Sequence, residues 1–234
     1  MTRAKTVKRR RASRGSGDQL RAEIIAATKD LLAASANSDA VSIRAVADAV
    51  GVTPPSIYLH FADKDELISA VVVDVFAELD AAMMAAGKRA DGPLDRLRAF
   101  GLAYVRFAVG HPEHYRVATM ERCVDEAPGG QSDMDKILAD SAFTHFMQTV
   151  TACMAAGIFA DGDPLPVTLQ LWSAAHGIAS LMIAKPYLPW GDLEVAADAV
   201  LCAAALGRAT ADLLGGSPDA GQVTSWLREQ GAPT

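Results

Sequence analysis

The feature that most constrains this chain is a sharp turn, Gly51-Val52-Thr53, set between two short segments with one-sided apolar patterns. Upstream, Ile43, Val46, Ala47 and Val50 recur at three- and four-residue spacing behind Ser42, a favourable N-cap. Gly51 closes that segment, because only glycine readily takes the left-handed backbone that so tight a turn needs. Downstream, Thr53 opens a second short helix with Pro54 at its first position, where a missing N–H costs nothing. Phe61-Ala62-Asp63 stops it. A longer helix precedes both, from Asp18 as N-cap to about Ala36, with Leu20, Ile24, Ala27, Leu31 and Ala34 on one face and a break at Asn37-Ser38-Asp39. Three helices of roughly 18, 8 and 8 residues around such a turn have the proportions of a helix-turn-helix. Ala47 is small where the short helices must approach, and Val46, Val50, Ile57 and Leu59 offer an apolar face to the first helix.

The remainder is also helical in pattern. Asp63 caps a long helix through Leu67, Val71, Val75 and Leu79 to about Ala86, with Glu66 completing a capping-box pattern. A helix over 94–110 ends at His111-Pro112, and a short one follows through Tyr115 to Met120. After a Pro/Gly-rich loop over 125–132 come three long segments at about 133–157, 165–185 and 192–214, and a short one ending near Gly231. Half the residues are hydrophobic but only 6% aromatic, and β-branched residues do not alternate. The fold class is therefore all-α: a three-helix helix-turn-helix domain followed by a helical bundle. The expected division is a flexible basic arm at 1–17, the helix-turn-helix at 18–64, and a second domain at 65–234.

Several classes are disfavoured. No run of eighteen apolar residues suggests a membrane span. Asp18, Gln19, Arg21 and Glu23 stand where a signal peptide would place its apolar core. Cys123, Cys153 and Cys202 are odd in number and lie among apolar neighbours, as small core residues of a cytoplasmic protein do. The net charge of −6 argues against nucleic acid, but its distribution reverses that. Residues 1–22 carry eight Lys or Arg against the single acid Asp18. The rest of the chain is strongly acidic. A basic arm fits either a solvated tail or contact with a polyanion, and its place beside the helix-turn-helix favours the second.

The run from Ser42 to Leu67, Ser-Ile-Arg-Ala-Val-Ala-Asp-Ala-Val-Gly-Val-Thr-Pro-Pro-Ser-Ile-Tyr-Leu-His-Phe-Ala-Asp-Lys-Asp-Glu-Leu, resembles the DNA-binding signature of the TetR/AcrR family of bacterial regulators. Trp172, His176 and Gly177 are similar to the Trp-x-x-x-His-Gly motif in the C-terminal domain of one branch of that family. The resemblance implies that Ser42 and Arg44 meet phosphate, that Thr53, Pro54, Pro55, Ser56 and Tyr58 lie on the recognition helix, and that Lys64 pairs with the DNA backbone. Pro54-Pro55 departs from the family's commoner small polar residues and leaves apolar contact with thymine methyls as their contribution. His60 fits either a DNA contact or packing within the motif. Arg9, Arg10, Arg11 and Arg14 suit the adjacent minor groove, as basic arms of helix-turn-helix proteins do.

Between 94 and 187 the bundle is rich in Met and aromatic residues, most of which must be core. The expected lining of an apolar ligand pocket is Phe100, Tyr104, Phe107, Met120, Phe143, Met147 and Trp172. His176, one turn on from Trp172, is open to either a core or a ligand-contact reading. No cofactor is expected. His111, Glu113 and His114 lack matching ligands for a metal, and no nucleophile elbow or phosphate loop points to an enzyme. The apolar helices over 165–185 and 192–214, with small residues at Ala174, Ala175, Ala203, Ala204 and Gly207, suggest a two-fold homodimer interface, as the resemblance also implies. The reading is a cytoplasmic, dimeric regulator, most simply a repressor, that binds palindromic double-stranded DNA and is released by an apolar small molecule. A non-specific architectural DNA-binding protein and a helical ligand carrier are the rivals.

Overall fold

A computed structural model describes residues 16–35, 41–120 and 141–231, all helix and connecting turns. Residues 1–15 of the arm, with Arg9, Arg10, Arg11 and Arg14, the break at 37–39, the loop over 125–132 and Cys123 lie outside the described residues, whereas Ser16 and Gly17, expected in the arm, begin the first helix. The helices are α1 (Ser16–Ser35), α2 (Ile43–Val50), α3 (Pro54–Ile57), α4 (Lys64–Gly87), α5 (Pro93–Gly110), α6 (Pro112–Met120), α7 (Ser141–Ala155), α8 (Pro164–Ala184), α9 (Leu193–Leu213) and α10 (Ala220–Glu229). They form two units: residues 1–78 with 110–137, and residues 79–109 with 138–234.

In the first unit α1 packs on α2 and α6, and α2 packs on α3. Its core is Ile24, Leu32, Val46, Ile57, Phe61, Leu67 and Val71, all essentially inaccessible. Burial of each such side chain contributes about 1.5–3 kcal/mol relative to exposure. Asp18 proves not to be the N-cap of α1: the helix starts at Ser16 and Asp18 stands in its first turn, where a carboxylate still suits the positive end of the helix dipole. Lys29 on α1 is buried and bonds to Asp74 (2.8 Å) and Glu78 (2.5 Å) of α4. His114 of α6 donates from Nε2 to the Lys29 carbonyl (3.2 Å). These bonds tie the first part of α4, and α6, to α1 within the first unit.

In the second unit α8 packs on α9 and on α7. Two glycines allow close approaches: a Cβ on Gly87 would sit 2.5 Å from Phe100 Cε1, and one on Gly101 would sit 2.9 Å from Leu201 Cδ1. Arg98–Asp198 and Arg106–Glu194 add ion pairs between α5 and α9. The uncharged α8 has the length and composition of a membrane span. Its packing against α7 and α9 accounts for the same pattern as a bundle helix. Cys153 is buried as expected, but Cys202 is exposed on α9, whose only fully buried residue is Ala197.

Candidate DNA-binding surface and bundle core

The helix-turn-helix is built by its caps. The Ser42 hydroxyl accepts from the Ala45 amide (3.2 Å), satisfying one of the free donors at the start of α2. At the other end Gly51 takes φ +75°, so its amide reaches the Asp48 carbonyl and the Val52 amide the Ala47 carbonyl. That paired closure turns the chain within three residues. Thr53 stands at the N-cap of α3 in extended backbone but makes no side-chain cap bond. Its hydroxyl pairs with that of Ser56 instead, at 3.0 Å.

The regular part of α3 is four residues rather than eight, with Pro54 and Pro55 at its start. The turn continues through bonds from the His60 and Phe61 amides to the Ile57 carbonyl. One expectation fails here: Leu59 does not face α1 but is 83% exposed. With Ile57 and Phe61 both buried, Leu59 lies on the opposite side of this turn. Tyr58 beside it is 54% exposed. Arg44, Thr53 and Pro55 are exposed, whereas Pro54, Ser56, His60 and Lys64 are half-buried.

Asp63 caps α4 by accepting from the Glu66 amide (2.8 Å), and the Glu66 carboxylate accepts from the Ala62 amide rather than from that of Asp63. Arg21, counted with the basic arm in the sequence, lies on α1 with its guanidinium 5.0 Å from the centre of the Phe61 ring. It braces the wall of the motif.

The predicted ligand residues divide in the second unit. Phe100, Tyr104 and Phe107 of α5 and Phe143 of α7 are buried, and Met147 and Trp172 are half-buried. The side chain of Met120 lies outside the described ones. Phe100 is committed to packing on Gly87.

Tyr104, Trp172 and His176, joined from α5 and α8, form a polar cluster inside the bundle. Trp172 Nε1 donates to the Tyr104 hydroxyl (3.3 Å), and that hydroxyl is 3.2 Å from His176 Nδ1. Phe143 meets Trp172 edge-on, with ring centres 5.9 Å apart. Burial holds the His176 pKa below its ordinary value. The neutral imidazole is thus favoured, able to give and to take one hydrogen bond.

Sequence reasoning missed a second polar pair, Asp80 of α4 with His145 Nδ1 of α7 at 2.7 Å. Sixty-five positions separate them and no local pattern links them. It also missed a cleft of about 530 Å³ along the end of α4 and α5, lined in part by Lys88, Arg89, Arg98 and Arg106. Among the described residues no group of three His, Cys, Asp or Glu is placed to hold a metal ion.

With this geometry in view, the comparisons are specific. Residues 24–71 match the model for bacterial regulatory proteins of the tetR family, and residues 97–214 match the tetracyclin repressor-like C-terminal domain. A solved protein of unknown function from Rhodococcus sp. RHA1 is 27% identical, over 81% of this chain and 95% of its own, with a TM-score of 0.68. A regulatory protein in the tetR family from Rhodococcus RHA1 is 22% identical, over 86% and 99%, with a TM-score of 0.60. A TetR family transcription regulator from Marinobacter aquaeolei VT8 is 17% identical, over 82% and 98%, with a TM-score of 0.61. No curated protein matches the chain. Two matched domains, which together run from within α1 to α9, establish that the chain belongs to the TetR family of DNA-binding transcriptional regulators.

Proposed function

We propose that the chain is a dimeric repressor that binds a palindromic operator in the cytoplasm and leaves it when an apolar small molecule enters the C-terminal bundle. The observation that carries the DNA half is the exposed edge from Thr53 to Leu59, where two hydroxyls, a phenol and an isobutyl group face outward beside the capped start of α2. Ser42, Arg44 and Lys64 take the phosphate backbone. Thr53, Pro54, Pro55, Ser56 and Tyr58 approach base edges, and His60 serves from the end of the turn. Arg9, Arg10, Arg11 and Arg14 follow the minor groove. The apolar face of α9 supports a two-fold dimer through α8 and α9: Val195, Leu206 and Leu213 are 68%, 62% and 78% exposed in the single chain. Burying such a face is what a second copy supplies.

The effector reading rests on the cluster of Tyr104, Trp172 and His176 within aromatic walls, since ligand sites in bundles are apolar with a few placed polar groups. Release follows by linkage: a ligand that favours the conformation unfit for DNA lowers operator affinity by its coupling energy, typically about 1–3 kcal/mol.

The test is footprinting of the purified protein on its upstream intergenic DNA across a salt series. A protected palindrome at physiological salt is expected. A variant lacking residues 1–14 should lose roughly one unit of log–log salt slope for each phosphate contact removed. Uniform, sequence-independent protection that vanishes with salt would instead mark an architectural protein.

A further inference from the structure

The cleft along the end of α4 and α5 is a separate feature from the bundle core. Five of the second unit's eight Lys and Arg residues fall between Lys88 and Arg106, although that unit carries twelve Asp and Glu. Four of the five line the cleft. Their states differ. Arg98 is held by a two-point bond from Nε (2.6 Å) and Nη2 (2.8 Å) to Asp198 of α9, and Arg106 by a bond from Nη2 to Glu194 (2.7 Å). Each keeps further guanidinium N–H groups that these bonds do not use. Lys88 and Arg89 are exposed at the mouth of the cleft and form no ion pair among the described residues. Two anchored forks beside two free cations are a means of gripping an oxyanion at several points.

We propose that this cleft binds a small phosphorylated organic molecule. Its volume, about 530 Å³, is far more than one phosphate needs and falls in the range of small-molecule sites. The space exists because the remaining wall is alanine, at Ala85, Ala86, Ala90 and Ala99, above Leu102. No long side chain fills it, and an organic body has an apolar surface to lie on. Asp95 on the same wall accepts a hydroxyl or amine from that body. The proposal is independent of the effector reading, which concerns buried aromatic residues elsewhere in the unit.

The test uses the full-length protein, with inorganic phosphate and glucose 6-phosphate as probes against sodium chloride of equal ionic strength. Thermal unfolding and calorimetric titration read the binding. The expected result is a saturable stabilisation by glucose 6-phosphate, stronger than by inorganic phosphate and absent with chloride. The double variant Lys88→Ala/Arg89→Ala should weaken it by at least about tenfold, equivalent to about 1.4 kcal/mol. Both residues are exposed, and an unchanged circular dichroism spectrum and operator affinity verify the fold. Lys64→Ala and removal of residues 1–15 should leave the binding intact.

Three results would overturn the proposal. One is equal stabilisation by chloride. Another is loss of binding in Lys64→Ala rather than in the double variant, which would place the phosphate on the DNA-binding surface. The third is a double variant that lowers the salt slope of DNA binding, which would assign the cleft to the DNA backbone.

Discussion

Lys29 Nζ stands 2.8 Å from a carboxylate oxygen of Asp74, forty-five residues further along the chain, and the same ammonium reaches Glu78 on the next turn. Burial by itself lowers the pKa of such an amine. The hydrogen bonds and charges of the two acids outweigh that, and hold it above the ordinary 10.5. A raised folded-state value means the pair's stabilisation is complete below pH 10.5 and is lost as pH rises through the folded value. Lys29→Met keeps the apolar stem but frees two acids that are already half in water. It should cost about 1–2 kcal/mol in urea unfolding and remove part of the alkaline loss of stability. An unchanged alkaline limb would refute that assignment.

His176 makes the opposite prediction at acid pH. Its pKa is lowered by burial, so its native environment favours the neutral ring. Stability is full above pH 6.5 and falls as pH drops through the folded value, because the unfolded chain takes up the proton first. His176→Gln should flatten urea midpoints between pH 7.5 and pH 5. Tyr104→Phe, which removes a hydroxyl shared by Trp172 and His176, should cost about 1–3 kcal/mol while leaving operator affinity without effector unchanged.

At the recognition edge the structure separates packing from contact. Leu59 is 83% exposed, so Leu59→Ala should change stability by less than about 0.5 kcal/mol. Ser42→Ala removes a formed cap and should cost about 1 kcal/mol. Comparing denaturation with operator affinity for these two variants shows which residue acts on DNA. A large loss of stability in Leu59→Ala would return it to the core.

The cysteines report on the dimer. Burial pushes the Cys153 thiol up to about 11, so at pH 8 it should react with a thiol reagent only on unfolding. Cys202 is exposed on the apolar α9. In a Cys123→Ser background, Cys202 should label quickly in dilute monomer and slowly once dimers form. Concentration-independent, rapid labelling would exclude α9 from the interface.

The helices were legible in the sequence where local rules govern them. Ser42, Gly51 and Asp63 marked their ends because caps depend on residues three or four positions away. Leu59 was misplaced because a helical period assumes that the helix continues. The regular helix ends after one turn, at Ile57, and the next residues take another path. Ile57 was assigned correctly because it stands within the one regular turn, and its side chain is fully buried. The bundle was legible in outline, and its aromatic residues were found. How they pair was not, since Tyr104 with His176, Asp80 with His145 and Lys29 with Asp74 are contacts between distant segments. The basic cleft escaped for a related reason: its free space depends on how α4 and α5 pack, which no residue count records.

The first unit is discontinuous, made of residues 1–78 and a returning stretch that includes α6. It cannot therefore be traded as a cassette. A reader head transplanted at residue 64 would leave behind Asp74 and Glu78, the acids that hold Lys29, and His114, which grips its carbonyl. Recombination between relatives, natural or engineered, must carry two separated stretches of sequence together or accept a loosened head. Operator preference in this protein should drift by substitution on the Thr53–Leu59 edge more readily than by exchange of the whole reader.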